Sequence, residues 1–210
     1  QYIDNIFKGH NRSLKAKRNI IYSLFIKGIS IVVGFAFVPL ILNYLDAERY
    51  GIWLTLSSII AWVSFFDIGL GNGLRNKFVE AVANNDHELA RTYVSTTYAI
   101  LGVIFSIAII LFLAINPFLV WQKILNTTAV GTSELSVIAG IVFVFFVLRF
   151  FFNLIGFILM ADQRPAINNS FGPIGSILAL LIIYYLTKTS AGSLINLAAV
   201  LSIVPVFVLV

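Results

Sequence analysis

The sequence predicts an all-α membrane protein with about six transmembrane helices, and three observations lead to this class. Of its 210 residues, 60% are hydrophobic and 11% are charged, and the mean hydropathy is +0.97. A soluble domain carries roughly 25% charged residues, so this chain lacks the polar side chains needed to cover a globule in water. Its apolar residues are also grouped into runs of about 20, the length that crosses a bilayer core as a helix.

Six apolar segments meet this length requirement. Helices are expected in them because a chain in lipid must satisfy its backbone hydrogen bonds internally, and the alternating pattern of a β-barrel is missing. The predicted spans are residues 20–44, 51–74, 92–120, 135–161, 166–187 and 194–210. Residues 1–19 are predicted to form a basic amphipathic cytoplasmic segment, and residues 20–210 one six-helix transmembrane lobe. Because the chain ends inside an apolar run, we expect a fragment of a longer protein.

Positive charge predicts the orientation, since cytoplasmic loops carry an excess of Lys and Arg. With a cytoplasmic N-terminus, only Arg49, Lys123 and Lys188 fall in outer loops. The cytoplasmic side then holds Lys8, Arg12, Lys15, Lys17, Arg18, Arg75, Lys77, Arg91 and Arg164. Such cations suit anionic lipid headgroups, so the net charge of +5 requires no nucleic-acid partner. Residues 76–91 are predicted to form one or two amphipathic helices at this surface, with a break at Asn84-Asn85-Asp86.

A few charged residues interrupt the apolar spans. Arg149 lies near the middle of the fourth span, where inserting a charge costs at least ~2.5 kcal/mol. Asn153 lies at i+4, on the same side of that helix. Arg149 is either a structural arginine, held by carbonyls or by an acid on another helix, or part of an anion-binding site in a wet cavity. The second interpretation is favoured, since the span contains no acid.

Asp67 and Lys27 form a second candidate group. Both are predicted at similar depth in the cytoplasmic half of consecutive spans, so an ion pair between them is expected. Two alternatives stay open: Lys27 reaches the headgroups through its aliphatic stem, or Asp67 has a functional role of its own. Arg75 follows at the predicted cytoplasmic end of the second span.

Glycines and prolines inside the spans are candidate hinges. Gly69, Gly71 and Gly73 lack the spacing and the preceding strand of a nucleotide-binding loop, and they favour close helix packing or local bending instead. Pro39 and Pro173 are candidate kinks, because proline frees a backbone carbonyl inside a helix. Transporters use bent helices of this kind around their cavities, although simple packing irregularity explains them equally well.

Catalytic signatures are missing from the chain. It contains no cysteine, which excludes disulfides and thiolate metal sites, and it has no zinc-protease, phosphate-loop or nucleophile-elbow motif. We therefore expect a protein that is not an enzyme and has no resident cofactor.

Two stretches resemble a known family. KAKRNIIYSLFIKGISIVVGFAFVPLILNYLDAERYGIWLTLSSI and SFFDIGLGNGLRNKFVEA are similar to the Wzx-like O-antigen and exopolysaccharide flippases. These transporters belong to the multidrug/oligosaccharidyl-lipid/polysaccharide exporter superfamily. The matching features are the basic start, the cation inside the first span, and the segment from Asp67 to Arg75.

The resemblance implies a two-lobed transporter of twelve to fourteen helices, of which this chain is the N-terminal lobe and the C-terminal lobe is absent. It implies flipping of a polyprenyl-pyrophosphate-linked oligosaccharide across the bacterial inner membrane by alternating access, with polysaccharide assembly proteins as further partners. Arg149, Lys27, Arg75, Asp67 and Asn153 would then contact the substrate or organise its cationic cavity. Members of this superfamily couple to Na⁺ or H⁺, but this half shows no ion cage.

Three alternatives remain open. A multidrug or organic-cation exporter of the same superfamily would favour an acidic cavity, whereas the interior cations here outnumber the acids. A membrane-embedded polysaccharide-assembly enzyme would need a large outer loop. A non-transporting scaffold would tolerate neutralisation of Arg149.

Overall fold

The chain folds into helices and short connections, as seen in a computed structural model. The structure describes the backbone of residues 2–62 and 69–210, and the side chains of residues 21–60, 69 and 71–210. The helices are α1 Tyr2–Tyr44, α2 Ala47–Trp62, α3 Leu70–Ala83, α4 His87–Ile115, α5 Trp121–Ile124, α6 Thr132–Phe152, α7 Leu154–Ala161, α8 Pro165–Thr189 and α9 Leu194–Phe207. A 3-10 turn, Asn116–Phe118, follows α4. No strand occurs in the described ranges, which confirms the all-α prediction.

Four helical segments are long and apolar enough to cross a membrane, judged over the described residues. They are Ile21–Tyr44, His87–Phe118, Thr132–Ala161 and Pro165–Thr189. Helix α9 is apolar but shorter, and α2 has 16 residues. The chain is therefore a multi-pass membrane protein, and the count of six spans stays a prediction.

Two of the predicted spans do not share their bounds with the helices. Helix α1 begins at Tyr2, so residues 2–19 of the basic segment and the first span belong to one helix. The segment predicted as the second span is shared between α2, which ends at Trp62, and α3, which begins at Leu70. Gly69, before α3, has a φ of 71°, a left-handed conformation that glycine adopts without steric cost. Apolar composition alone does not reveal this change in backbone conformation.

A three-residue turn joins α3 to α4. Asn85 adopts a φ of 57°, and the backbone N–H of Asp86 donates to the carbonyl of Ala81 over 3.0 Å. This bond closes the end of α3 in the pattern of a Schellman motif. The Asp86 carboxylate then accepts from the backbone N–H of Leu89 over 2.9 Å and caps α4. The break predicted at Asn84-Asn85-Asp86 is confirmed.

The turn between α7 and α8 has the same construction at the same end of the lobe. Gln163 adopts a φ of 57°, and the backbone N–H of Arg164 donates to the carbonyl of Leu159 over 2.8 Å. Pro165 follows as the first residue of α8, where its missing N–H leaves no helical bond unmade. Each pair of helices is thus connected by a short, hydrogen-bonded turn.

Two apolar clusters hold the helices together. The larger cluster joins α1, α2, α5, α6, α8 and α9 near the end where α1 meets α2, and its fully buried members include Leu56, Leu135, Ile138, Ile183 and Leu197. The smaller cluster consists of Leu74, Leu101 and Leu154, and it joins α3, α4 and α7. Helix α1 packs mainly along α8, and α6 mainly along α9.

A buried asparagine fastens the connection between α4 and α6. The Asn116 side chain is 6% exposed, and its amide donates to the carbonyl of Ser136 over 2.9 Å. Its Oδ1 accepts from the indole N–H of Trp121 over 2.7 Å. Both polar ends of the amide are therefore satisfied, and the 3-10 turn, α5 and α6 are tied to one side chain.

Replacing Asn116 with alanine should destabilise the lobe by about 1–3 kcal/mol, because the buried indole N–H of Trp121 loses its acceptor. Thermal unfolding of the purified protein in detergent micelles measures the change. Asn76→Ala is the matched control, since Asn76 is exposed on α3. Equal melting temperatures for the two variants would contradict this role of Asn116.

The predicted hinge residues have different surroundings. Pro39 and Pro173 both lie inside continuous helices, α1 and α8. A methyl group built on Gly71 would overlap the ring of Phe157, whereas nothing lies within 4 Å of one built on Gly73. Gly71 therefore serves the close packing of α3 on α7, while Gly73 makes no such contact.

The two glycines provide a matched pair of substitutions. Gly71→Ala should destabilise the protein by about 1–3 kcal/mol, because the added methyl group displaces Phe157 from the α3–α7 contact. Gly73→Ala should be neutral or stabilising by up to about 1 kcal/mol, because alanine favours the helix more than glycine. Detergent unfolding midpoints compare them, and a larger loss for Gly73→Ala would show that the close approach at Gly71 is unimportant.

Candidate functional site

Arg149 lies on the face of α6 that packs into the larger cluster. Along this face, Leu135, Ile138, Ala139 and Val142 are buried. Arg149 comes seven residues after Val142, which is two helical turns and therefore the same face. Unlike those residues, Arg149 is exposed. The inward face of α6 thus changes from apolar and buried to cationic and open within two turns.

Asn153 continues this face at the junction of α6 and α7. Its backbone N–H donates to the Arg149 carbonyl over 2.9 Å, and its own carbonyl accepts from the N–H of Gly156 over 2.9 Å. The second bond spans three residues, so the helix tightens locally at Asn153. The exposed Asn153 side chain lies one turn from Arg149, in agreement with the i+4 prediction.

Asn168 of α8 meets α7 at Gly156. It lies seven residues before Gly175 on the face of α8 that buries Gly175, Ala179 and Ile183. A methyl group built on Gly156 would overlap Oδ1 of Asn168 and lie 3.4 Å from Oδ1 of Asn153. The two amides therefore converge over a glycine that leaves them room. We refer to Arg149, Asn153 and Asn168 together as the polar site.

The next residue of α8 connects this region to α1. The side-chain amide of Asn169 donates to the hydroxyl of Ser23 over 3.3 Å. Lys27 lies one turn further along α1 and is exposed. The Lys27 side chain has no hydrogen bond or ion pair with another described residue.

The other predicted site residues stand apart from this group. Arg75 is exposed on α3, and it has no ion pair with any described residue. Two residues later, Lys77 does pair with Glu80 over 2.8 Å, and this hydrogen bond raises the pKa of Lys77. Asp67 lies outside the described residues, so its predicted pairing with Lys27 stays a prediction.

Sequence reasoning did not assign Asn168 to the site. Arg149 and Asn153 were found because a charge and an amide at i+4 stand out in an apolar helix. Asn168 belongs to another helix, and its contact with Gly156 depends on how α7 and α8 cross. The available signal was a polar pair, Asn168-Asn169, in the first turns of an otherwise apolar span.

The polar site offers donors for an anion and for hydroxyl groups. The Arg149 guanidinium has five N–H donors and is not bonded to any described residue. The side-chain amides of Asn153 and Asn168 are likewise without a protein hydrogen-bond partner among the described residues. No cluster of three or more His, Cys, Asp or Glu residues suited to a metal ion occurs in that part of the chain. The chemistry fits phosphate and carbohydrate better than a cation.

The chain is similar to a curated protein described as "Putative O-antigen export protein" from Yersinia pseudotuberculosis. The two are 26% identical over 175 residues, which cover 83% of this chain and 39% of that protein. The chain thus spans well under half the length of this relative. No family model and no solved structure matches the sequence. The likeness supports a relationship between this chain and O-antigen exporters.

Proposed function

We propose that this chain is the N-terminal lobe of a flippase for lipid-linked sugars in the bacterial inner membrane. The substrate is an oligosaccharide on polyprenyl pyrophosphate, and Arg149 of the polar site binds its pyrophosphate. The two lobes of the full protein alternate between openings to the two sides. The protein acts as a transporter in polysaccharide biosynthesis, and it needs no catalytic residue.

The exposed Arg149 on the inward face of α6 carries this proposal. It lies 12 residues from Ala161, the end of α7, which corresponds to about 18 Å along the helix axis. A charge at that depth costs at least ~2.5 kcal/mol, and no described acid offsets the cost by pairing with it. An anionic substrate that passes through the lobe would supply the missing partner. Guanidinium suits pyrophosphate because its planar donors bind phosphate oxygens in pairs.

The similarity to an O-antigen export protein supports the same substrate class. That relative is much longer than this chain, which covers 39% of it. The remainder leaves room for the second lobe that a rocking mechanism requires. The inward cation at Arg149 argues against the organic-cation exporter, since it would repel a cationic drug at mid-depth.

Neutralising Arg149 should abolish most of the transport. In the full-length protein, Arg149→Gln should lower surface polysaccharide at least tenfold and let the lipid-linked precursor accumulate. A charge-assisted hydrogen bond contributes about 1.5–3 kcal/mol, which is about 10- to 100-fold in binding. Arg149→Lys should retain an intermediate level, because it keeps the charge and loses the paired geometry. The assay uses a flippase-deficient bacterium matched to the protein's own sugar cluster.

Arg91→Gln is the matched control, because Arg91 is an exposed arginine near the start of α4. It should transport like the wild type, and immunoblots of the membrane fraction confirm equal protein levels. Full transport by Arg149→Gln would make Arg149 a structural residue. Failure of the wild type with its matched substrate would reject the flippase assignment itself.

A further inference from the structure

The proposed function assigns the pyrophosphate to Arg149 but leaves the two neighbouring amides without a role. Resting on that function, we propose that Asn153 and Asn168 form a hydrogen-bonding subsite for the sugar attached to the pyrophosphate. The subsite would distinguish polyprenyl pyrophosphate that carries a sugar from the bare lipid. It would therefore select the loaded carrier for transport.

The convergence of the two amides supports a ligand subsite. Both Oδ1 atoms point to the space over Gly156, yet neither amide is hydrogen-bonded to a described residue. An asparagine side chain has two N–H donors and a carbonyl acceptor. A sugar hydroxyl is both donor and acceptor, so two converging amides can satisfy it from both directions.

The distance along the helix also suits this assignment. Asn153 lies one turn, about 5.4 Å of axial rise, from Arg149. A ligand whose anion is bound by the guanidinium would place its next group beside Asn153. Asn168 reaches the same point from α8, so the subsite is formed by two helices. Asn169 and Ser23 fix the neighbouring turn of α8 against α1 through their 3.3 Å hydrogen bond.

The convergence of both amides at Gly156 separates this subsite from ordinary surface polarity. Asn168 follows the buried face of α8, and Asn153 follows the buried face of α6. The two amides thus come together where α7 packs on α8, next to the end of α6. Amides facing lipid would be costly without a partner, whereas amides facing a carbohydrate path would gain one.

Binding of two lipids to the full-length protein in nanodiscs tests the proposal. The probes are bare polyprenyl pyrophosphate and the same lipid carrying one N-acetylhexosamine. The double variant Asn153→Ala/Asn168→Ala should raise the Kd for the sugar-bearing lipid about tenfold and change the Kd for the bare lipid by less than about twofold. Arg149→Gln should weaken binding of both lipids by similar factors, about tenfold or more. Asn196→Ala, at an exposed asparagine of α9, is the control and should change neither.

A second variant tests the position of Asn168 without removing its amide. In Gly156→Ala, the new methyl group would displace the flexible end of the Asn168 side chain. The preference for the sugar-bearing lipid should fall about threefold or more, while binding of the bare lipid persists. Thermal melting of each variant verifies that the fold is retained.

The outcomes separate the subsite from the proposed function. Selective loss of the preference in the double variant supports the subsite. A double variant that keeps the full preference, or loses both lipids equally while folded, overturns the subsite and leaves the flippase assignment in place. A wild-type protein that binds neither lipid rejects the proposed function, and the subsite with it.

Discussion

The rotation of α6 about its own axis decides which groups enter the interior of the lobe. Its face with Leu135, Ile138 and Val142 is buried in the larger cluster. Because a helix is stiff, this packing also determines the direction of every later residue on the same face. Arg149 and Asn153 therefore lie on the packing face of α6 as a consequence of apolar contacts two to three turns away, although both side chains are exposed. The burial of those apolar side chains offsets the free-energy cost of placing a charge on this face.

The two ends of α6 illustrate opposite uses of a polar group in a membrane protein. Near the start of α6, Asn116 is buried with both ends of its amide bonded, and it fastens a turn whose other residues are exposed. Farther along, Asn153 and Asn168 converge without bonding to a described residue. A satisfied buried amide rigidifies its surroundings, whereas one without a protein partner is available to a ligand. Hydrogen bonds thus fix the connection between α4 and α6, whereas the described amides without a protein partner lie where α7 meets α8.

Local patterns in the sequence predicted much of this structure. Runs of apolar residues predicted the helices, and the turn at Asn84-Asn85-Asp86 could be anticipated because its residues favour left-handed and capping conformations. Arg149 stood out because a charge is conspicuous in an apolar run. The chain changes from polar to apolar after residue 19, but this change does not end the helix. Lysine, arginine and leucine favour a helix on either side of it, and α1 is continuous.

What sequence reasoning missed depends on contacts between helices. The start of α3 after Gly69 goes with a left-handed backbone dihedral, which hydropathy does not encode. Likewise, the association of Asn168 with Asn153 requires the crossing of α7 and α8 at Gly156. A pattern read along one helix contains no information about the partner that a neighbouring helix provides. Long-range pairs are therefore the part of a site that needs coordinates.

The three-residue turn between α7 and α8 also bears on how the protein is made. It brings Asn168 to Asn153, and only 15 positions separate the two residues in the chain. Their contact can therefore form soon after both residues have been synthesised. Contacts of short sequence separation form early, because little chain entropy is lost in closing them. The span containing Arg149 and its successor can therefore enter the bilayer as a preassembled hairpin. Its two amides then converge at Gly156, instead of meeting acyl chains one at a time.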